Sequence, residues 1–309
     1  MSSALKDAIK IRLKRYFPFL LPLSDQVRKQ GLASEPPRFQ PKNDVMPDWR
    51  SVDLPADITA ADTMLLRTEQ QILLSLAKDY FKGEGCIIDA GCFLGGSTLP
   101  LAHGLKANPA AASFNQPVIH SYDLFIVEPW TIGIYFPKKT PLGTSFEDKF
   151  RANISPVSDM VKVNAGDVTQ ADIPDEDVEI LFIDLAKHWT VSDYMVRTYF
   201  PKLIPGHSIV IQQDYLYHLW SGWLPVTMEV FADYFEILDH TSDGSVVFFY
   251  HTKIPDEMLN KDVFASLTRS EVLELANRAV ARFSGKQKQV LIEARDQLQD
   301  VLKESNWPE

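Results

Sequence analysis

The residues whose types and spacing can do chemistry begin in "CIIDAGCFLGGST", residues 86–98. A short apolar run ends in the carboxylate of Asp89, and Gly91, Gly95 and Gly96 follow before Ser97 and Thr98. Glycines let backbone approach a ligand closely, and a hydroxyl residue after them caps a helix whose first N–H groups point at that ligand. The spacing is D-x-G-x-x-x-G-G and not the G-x-G-x-x-G of dinucleotide sites. A pyrophosphate on this turn would lie close to Asp89, and like charges 4 Å apart in a half-buried setting repel by roughly 4 kcal/mol. A ligand with a cationic amino-acid head escapes that cost. S-adenosylmethionine carries an ammonium and a sulfonium and no phosphate, so the turn favours it over NAD.

Two more acids stand where such a ligand needs them. Asp123 ends the next apolar run, in "HSYDLF", the position from which a carboxylate accepts hydrogen bonds from a ribose diol. Asp167, in "NAGDVTQ", follows a third run and is placed to meet an adenine amino group. Any one of these acids reads equally well as a helix cap or a solvated loop residue. Three at successive strand ends, in this order, are much harder to obtain by accident.

The elements that must position them alternate in type. "CIIDA", "PVIHSYD", "VKVNAG", "VEILFID", "HSIVIQ", a run from about residue 235 and "SVVFFYH" read as strands. Between them "STLPLAHGL", "TSFEDKFRANI", "VSDYMVRTYFPKL" and "PVTMEVFADYFEIL" carry helical periodicity. The pattern predicts an α/β fold: a Rossmann-like, doubly wound, mostly parallel seven-stranded sheet with helices on both faces. The last two strands are too close in sequence for a crossover, so they form a hairpin and the final strand runs antiparallel. A helix is expected from Thr59 to about Lys82, where apolar residues recur at three-and-four spacing. The chain divides into a basic arm and proline-rich linker (1–58), a central domain (59–252) and a helical extension (253–309) that either caps the domain or builds a homo-oligomer interface.

Charge separates the same regions. The chain of 309 residues carries a formal charge of −10, which disfavours a nucleic-acid partner. Residues 1–31 alone carry +5, with Lys6, Lys10, Arg12, Lys14, Arg15, Arg28 and Lys29 against Asp7 and Asp25, which leaves −15 on the rest. Within the arm, residues 3–23 combine basic and apolar residues at helical spacing, suited either to a membrane surface or to packing on the domain itself. No apolar run approaches the roughly 20 residues that span a bilayer, no secretory signal is evident, and Cys86 and Cys92 do not make a disulfide framework. A cytoplasmic protein, with the arm offering peripheral membrane contact, is the expectation.

Over about residues 60–252 the order of these motifs resembles the class I S-adenosylmethionine-dependent methyltransferases. "IIDAGCFLGGSTL" is similar to the family's first motif and "SYDLF" to its second acidic position. "VEILFIDLAKHW" and "YFPKLIPGHSIVIQQDY" resemble the later strands of small-molecule O-methyltransferases, the macrocin-type enzymes that methylate sugars and the catechol-type enzymes. The resemblance implies S-adenosylmethionine as cofactor, bound by Asp89, Gly91, Gly95, Gly96, Ser97, Asp123, Asp167 and Asp184. It implies a Mg²⁺ site at Asp184, Gln213 and Asp214, where glutamine replaces a charged ligand; the alternative is a metal-free site in which Gln213 and Asp214 hydrogen-bond sugar hydroxyls. It implies Lys187, three residues after Asp184, as catalytic base. His188 and His218 compete for that role because imidazole titrates nearer neutrality, and an ion pair from Lys187 to Asp184 or Asp214 is the structural alternative. Two aromatic-rich segments, 126–137 and 214–223, suit a lid and a stacking wall, or else core or oligomer contacts, the commoner use of any single aromatic. The implied activity is methyl transfer to a hydroxyl of a sugar, glycan or small polar metabolite. The competing reading is a cofactor-binding or scaffold protein without transfer.

Overall fold

The computed structural model describes residues 45–308 except 115–116, 218–220, 243, 260–262 and 306. Among the described residues seven strands form one sheet: β1 (Cys86–Ala90), β2 (Ile119–Asp123), β3 (Val161–Ala165), β4 (Val178–Ile183), β5 (Ile209–Gln212), β6 (Phe235–His240) and β7 (Val246–Tyr250). Their order is β3-β2-β1-β4-β5-β7-β6. The first five run parallel, and β7 is antiparallel to both its neighbours. Only residues 241–245 join β6 to β7, with the Thr241 N–H donating to the Ser245 carbonyl, and so short a link permits only an antiparallel return.

Nine helices accompany the strands: α1 (Ala56–Ala60), α2 (Arg67–Ser75), α3 (Thr98–Ala107), α4 (Glu147–Asn153), α5 (Trp189–Tyr199), α6 (Trp223–Val230), α7 (Asp256–Leu259), α8 (Arg269–Arg282) and α9 (Gly285–Glu304), counted among the described residues. β1, β4 and β5 are buried along their whole length, as strands covered on both faces must be. Alternate side chains feed two cores: Ile87, Ile180, Phe182 and Ile211 enter one, and Ile88, Leu181, Ile183 and Val210 the other. Strand order reverses between β1 and β4. Crevices at such switch points, beyond the carboxyl ends of the strands, are where open parallel sheets bind ligands.

The structure corrects two expectations around this frame and shows one of two alternatives for a third. The helix predicted over Thr59–Lys82 is interrupted: α1 ends at Ala60, α2 starts at Arg67 and a π-type turn covers Leu76–Tyr80. Leu66 is extended and its N–H donates to Glu69 Oε2 (2.8 Å), an N-terminal cap that fixes where α2 begins. Residues 45–58, expected as linker, are packed onto the domain, with Met46, Trp49 and Ile58 buried. Trp49 Nε1 donates to Asp239 Oδ2 on β6 (2.8 Å), and Arg50 donates to both oxygens of the same carboxylate (2.9 and 3.0 Å). The helical extension caps the domain: Trp307 packs against Trp223 and Trp189 at 5.4 and 5.5 Å, and Arg282 on α8 grips Glu229 on α6. The basic arm lies outside the described residues. Among those described, no helix is long and apolar enough to cross a membrane.

Glu179, fully buried near the start of β4, anchors the opposite end of the sheet. Its oxygens accept from the backbone N–H groups of Lys82, Gly83 and Glu84 and face His207 Nε2 at 2.8 Å. Glu179→Gln replaces one accepting oxygen with a donor aimed at donors. It is expected to destabilise the fold by roughly 3 kcal/mol, the scale for breaking a buried charged hydrogen-bond group; an unchanged urea midpoint contradicts this.

Candidate active site

At the switch point the turn after β1 lies directly against the end of β4. The Asp184 N–H donates to the Ala90 carbonyl (2.7 Å), and a Cβ on Gly91 (φ +99°) would stand 3.0 Å from the Asp184 backbone. Only glycine fits there without strain. A cleft opens beside this contact, with Gly91, Cys92, Phe93, Gly96, Ser97 and Asp184 on one side and Thr63, Met64 and Leu65 on the other. Thr63 comes so close to Gly96 that a Cβ there would meet its hydroxyl. Open solvent included, the space between the walls is about 230 Å³, and its enclosed part has room for only about one water molecule. The segment carrying Thr63, Met64 and Leu65 has no motif that sequence reasoning could have found; it enters the site only because α2 starts late.

Asp89 and Gly95 are placed differently from expectation. Asp89 does not line the cleft. It sits behind the turn, wholly buried, accepting from the hydroxyls of Ser97 (2.7 Å), Thr98 (2.5 Å) and Ser121 (3.2 Å). Burial pushes its pKa up to about 6 against the pull of those hydroxyls. Gly95 (φ +95°) faces the core, where a Cβ would stand 3.0 Å from Ile154. Both hold the shape of the turn from behind.

Asp123 meets the turn from β2. Its Oδ2 accepts the Phe93 N–H (2.9 Å) and its Oδ1 the Phe125 N–H (2.8 Å), and burial raises its pKa against those two bonds. Phe93 and Phe125 both adopt positive φ (+46° and +50°), a strained conformation for bulky residues and one that clusters at functional sites. Asp167 is exposed at the end of β3 and caps its own turn, accepting from the Thr169 N–H and hydroxyl. It stays close to Asp123 because the Gly166 N–H donates to the Asp123 carbonyl (2.9 Å).

The ends of β4 and β5 carry the charged centre. Lys187 Nζ lies 2.7 Å from Asp184 Oδ1 and 2.7 Å from Asp214 Oδ2. Burial alone would lower the lysine's pKa, but the two carboxylates outweigh it and raise it above its ordinary value. Burial raises Asp184, Lys187 opposes that rise, and the Asp214 charge adds to it. The structure thus places Lys187 in the ion pair to Asp184 and Asp214 that was the alternative to its role as base. Asp214 is the third residue with strained backbone, at φ +59°. Its Oδ1 accepts from Gln213 Nε2 (2.6 Å), while Gln213 Oε1 is buried with no hydrogen-bond partner among the described residues.

This donor set does not fit Mg²⁺. The ion needs oxygens at about 2.0–2.1 Å in near-octahedral array; here an ammonium stands between the two acids and Gln213 turns its donor toward Asp214. Glu69, which the sequence pattern did not single out, is buried close by, accepting from Ser245 Oγ (2.7 Å) and capping α2. Burial raises its pKa, and the Asp214 charge reinforces that rise.

His188 is the N-cap of α5, its Nδ1 facing the Thr190 N–H and hydroxyl, and burial pushes its pKa down to about 4. It stays neutral but has a structural task. His218 lies outside the described residues. The aromatic segment 126–137 packs over Phe93, whose ring meets Tyr135 and Phe146 edge-on at 5.1 and 5.2 Å and lies 6.0 Å from Trp130. Tyr135 Oη donates to the Thr63 carbonyl (3.2 Å), which joins this cover to the far wall of the cleft. The second segment supplies no stacking wall from Tyr215 or Trp223: both are buried in the core, against Phe248 and Trp307.

No protein-family model matches the chain, and no curated protein does. Solved structures do match. The O-methyltransferase NovP is 16% identical, with 60% of this chain and 78% of its own covered at a TM-score of 0.44. A putative rRNA-methylase from Clostridium thermocellum is 13% identical over 62% of this chain and 99% of its own, at 0.39. CalS11, a TDP-rhamnose 3'-O-methyltransferase of calicheamicin biosynthesis, is 17% identical over 58% and 75%, at 0.38. The acceptors in these names belong to those proteins.

Asp89 generates a pH test. Its folded-state pKa, about 6, lies above its ordinary 3.8, so the folded state holds the proton more tightly than the unfolded chain does. The resulting stabilisation is complete below about pH 4 and is lost as pH rises through 6, a change of roughly 3 kcal/mol. Chemical denaturation from pH 4 to 7.5 is expected to show Asp89→Asn gaining on the wild type by that order as pH rises. Parallel profiles contradict it.

Proposed function

We propose that the chain is an S-adenosylmethionine-dependent O-methyltransferase whose transfer domain begins near residue 59 and whose acceptor is a hydroxyl of a sugar, glycan or small polar metabolite. The observation that carries this reading is the switch-point cleft lined by Gly91, Gly96 and Ser97 after β1 and by Asp184 at the end of β4, with Asp123 at the end of β2 bonded to the backbone of Phe93 on its wall. The residues fit the donor. Each Asp123 oxygen spends one acceptor position on backbone and keeps another for a ribose hydroxyl. The glycine turn admits close approach, and the carboxylate of Asp184 lines the cleft where positive charge is favoured.

When bound, the donor supplies a methyl group made electrophilic by its sulfonium. The chain's task is to align an acceptor oxygen with that methyl, and alignment alone can supply much of the rate. Gly91, Gly96, Ser97 and Asp123 would hold the donor, whose sulfur would leave with the electron pair of the bond it gives up to the acceptor oxygen. The hydroxyl proton passes to the Asp184–Asp214 pair, since Lys187 already holds its proton and His188 caps α5. The aromatic cover over Phe93 excludes water, and the narrowness of the cleft means that the cover or the Thr63 segment moves to admit a nucleoside.

A cofactor-binding protein without transfer is the second reading, favoured by the ion pairing that removes Lys187 as a base. Transfer of labelled methyl from S-adenosylmethionine to a panel of sugars and glycans separates the two; donor binding without turnover on any acceptor selects the second. Calorimetry is expected to show binding of S-adenosylhomocysteine and none of NAD. Asp123→Ala is expected to weaken binding by about 1–3 kcal/mol, the scale of a lost hydrogen bond to a charged group. Equal affinity in both proteins removes the ribose from Asp123.

A further inference from the structure

We propose that Lys187 is the resident cation of this site: its ammonium takes the position between Asp184 and Asp214 that a divalent ion takes in the metal-dependent relatives, and it presents one remaining N–H to a single acceptor oxygen. The acceptor part rests on the methyl-transfer reading; the cation part does not.

Geometry carries the first half. Two carboxylates from different strands, Asp184 after β4 and Asp214 after β5, converge on one nitrogen at equal distances of 2.7 Å. Each is held in place by backbone. The Asp184 N–H is bonded to Ala90 and the Gln213 N–H to the Ile183 carbonyl (3.0 Å), and Asp214 keeps its positive φ. Lys187 reaches the pair from a tight turn in which its own N–H donates to the Leu185 carbonyl (2.9 Å). Gln213 stands where a third anion would complete a divalent site; it contributes no charge, and its oxygen is left buried and unpartnered. Two acids and one ammonium leave a net charge of −1, and a divalent ion added beside Lys187 would meet its repulsion at close range.

The count of donors carries the second half. An ammonium has three N–H groups. Two go to Asp184 and Asp214, no third partner is present among the described residues, and the lysine side chain is 33% exposed. One free donor engages one oxygen. A divalent ion keeping two open positions chelates a vicinal pair of oxygens, whereas this site recognises a lone hydroxyl and gains nothing from a neighbouring one.

The test reads metal binding directly in the full chain after chelator treatment, by the electron paramagnetic resonance signal of free Mn²⁺. Wild type is expected to show no saturable Mn²⁺ binding. Lys187→Met, which leaves both carboxylates open, is expected to bind Mn²⁺ saturably and to lose that binding when Asp214→Asn is added. Saturable binding by wild type that Asp214→Asn abolishes overturns the proposal, and so does a folded Lys187→Met that gains none. If Lys187→Met does not fold, the wild-type titration with Asp214→Asn as its control still decides. Donor binding measured separately by calorimetry distinguishes failure here from failure of the methyl-transfer reading. With an active acceptor in hand, a vicinal diol and its mono-deoxy analogue that keeps the methylated hydroxyl are expected to share one KM; a KM raised tenfold or more for the mono-deoxy compound overturns the single-oxygen assignment.

Discussion

Carboxylates held largely out of water at the carboxyl end of one sheet are the constraint on which the rest of this structure depends. A carboxylate in low dielectric must be paired or hydrogen-bonded, or it gives up its charge. Asp89 is met by three hydroxyls, Asp123 by two backbone N–H groups, Glu69 by a hydroxyl and a helix cap, and Asp184 and Asp214 by one ammonium. Each solution recruits a different segment. The turn after β1, the loop after β2, the start of α2 and the ends of β4 and β5 are drawn to one place because each supplies what another's acid requires.

Strand order makes that gathering possible. Because β1 and β4 are neighbours from which the chain winds outward in opposite directions, their carboxyl ends leave a crevice, and the residues that follow them face each other across it. The reversed strand β7 has a further consequence. It returns the chain beside β5 and delivers Ser245 to Glu69, so the hairpin that ends the sheet also closes one side of the site. The segments 45–58 and 253–308 brace this frame from outside, through Asp239 on β6 and Glu229 on α6.

What could be read from the sequence follows the same division between local and tertiary causes. "CIIDA" is β1 residue for residue, and "VEILFID" contains all of β4, because buried parallel strands write their burial into unbroken apolar runs. The reversal of β7 was readable from the shortness of its link to β6. The late start of α2 was not, since the residues before it have helical periodicity and Thr63 among them packs against Gly96, far away in sequence. Nor was the placement of Asp89, because a motif gives the order of residues along a turn and not which side of it a side chain takes. Lys187 was found by its spacing from Asp184, yet that spacing suits a base and an ion pair equally, and the arrival of Asp214 from the next strand, which completes the ion pair, is a tertiary event.

The central claim is that a methyl donor occupies the switch-point cleft above the turn after β1, with its ribose on Asp123. A crystal structure grown with saturating S-adenosylhomocysteine tests it most directly. The account predicts ligand density between the turn carrying Gly91 and Gly96 and a displaced segment 61–66, with both ribose hydroxyls within hydrogen-bond distance of Asp123. Ligand density elsewhere on the chain, or a cleft that stays closed with Thr63 still against Gly96, would contradict it.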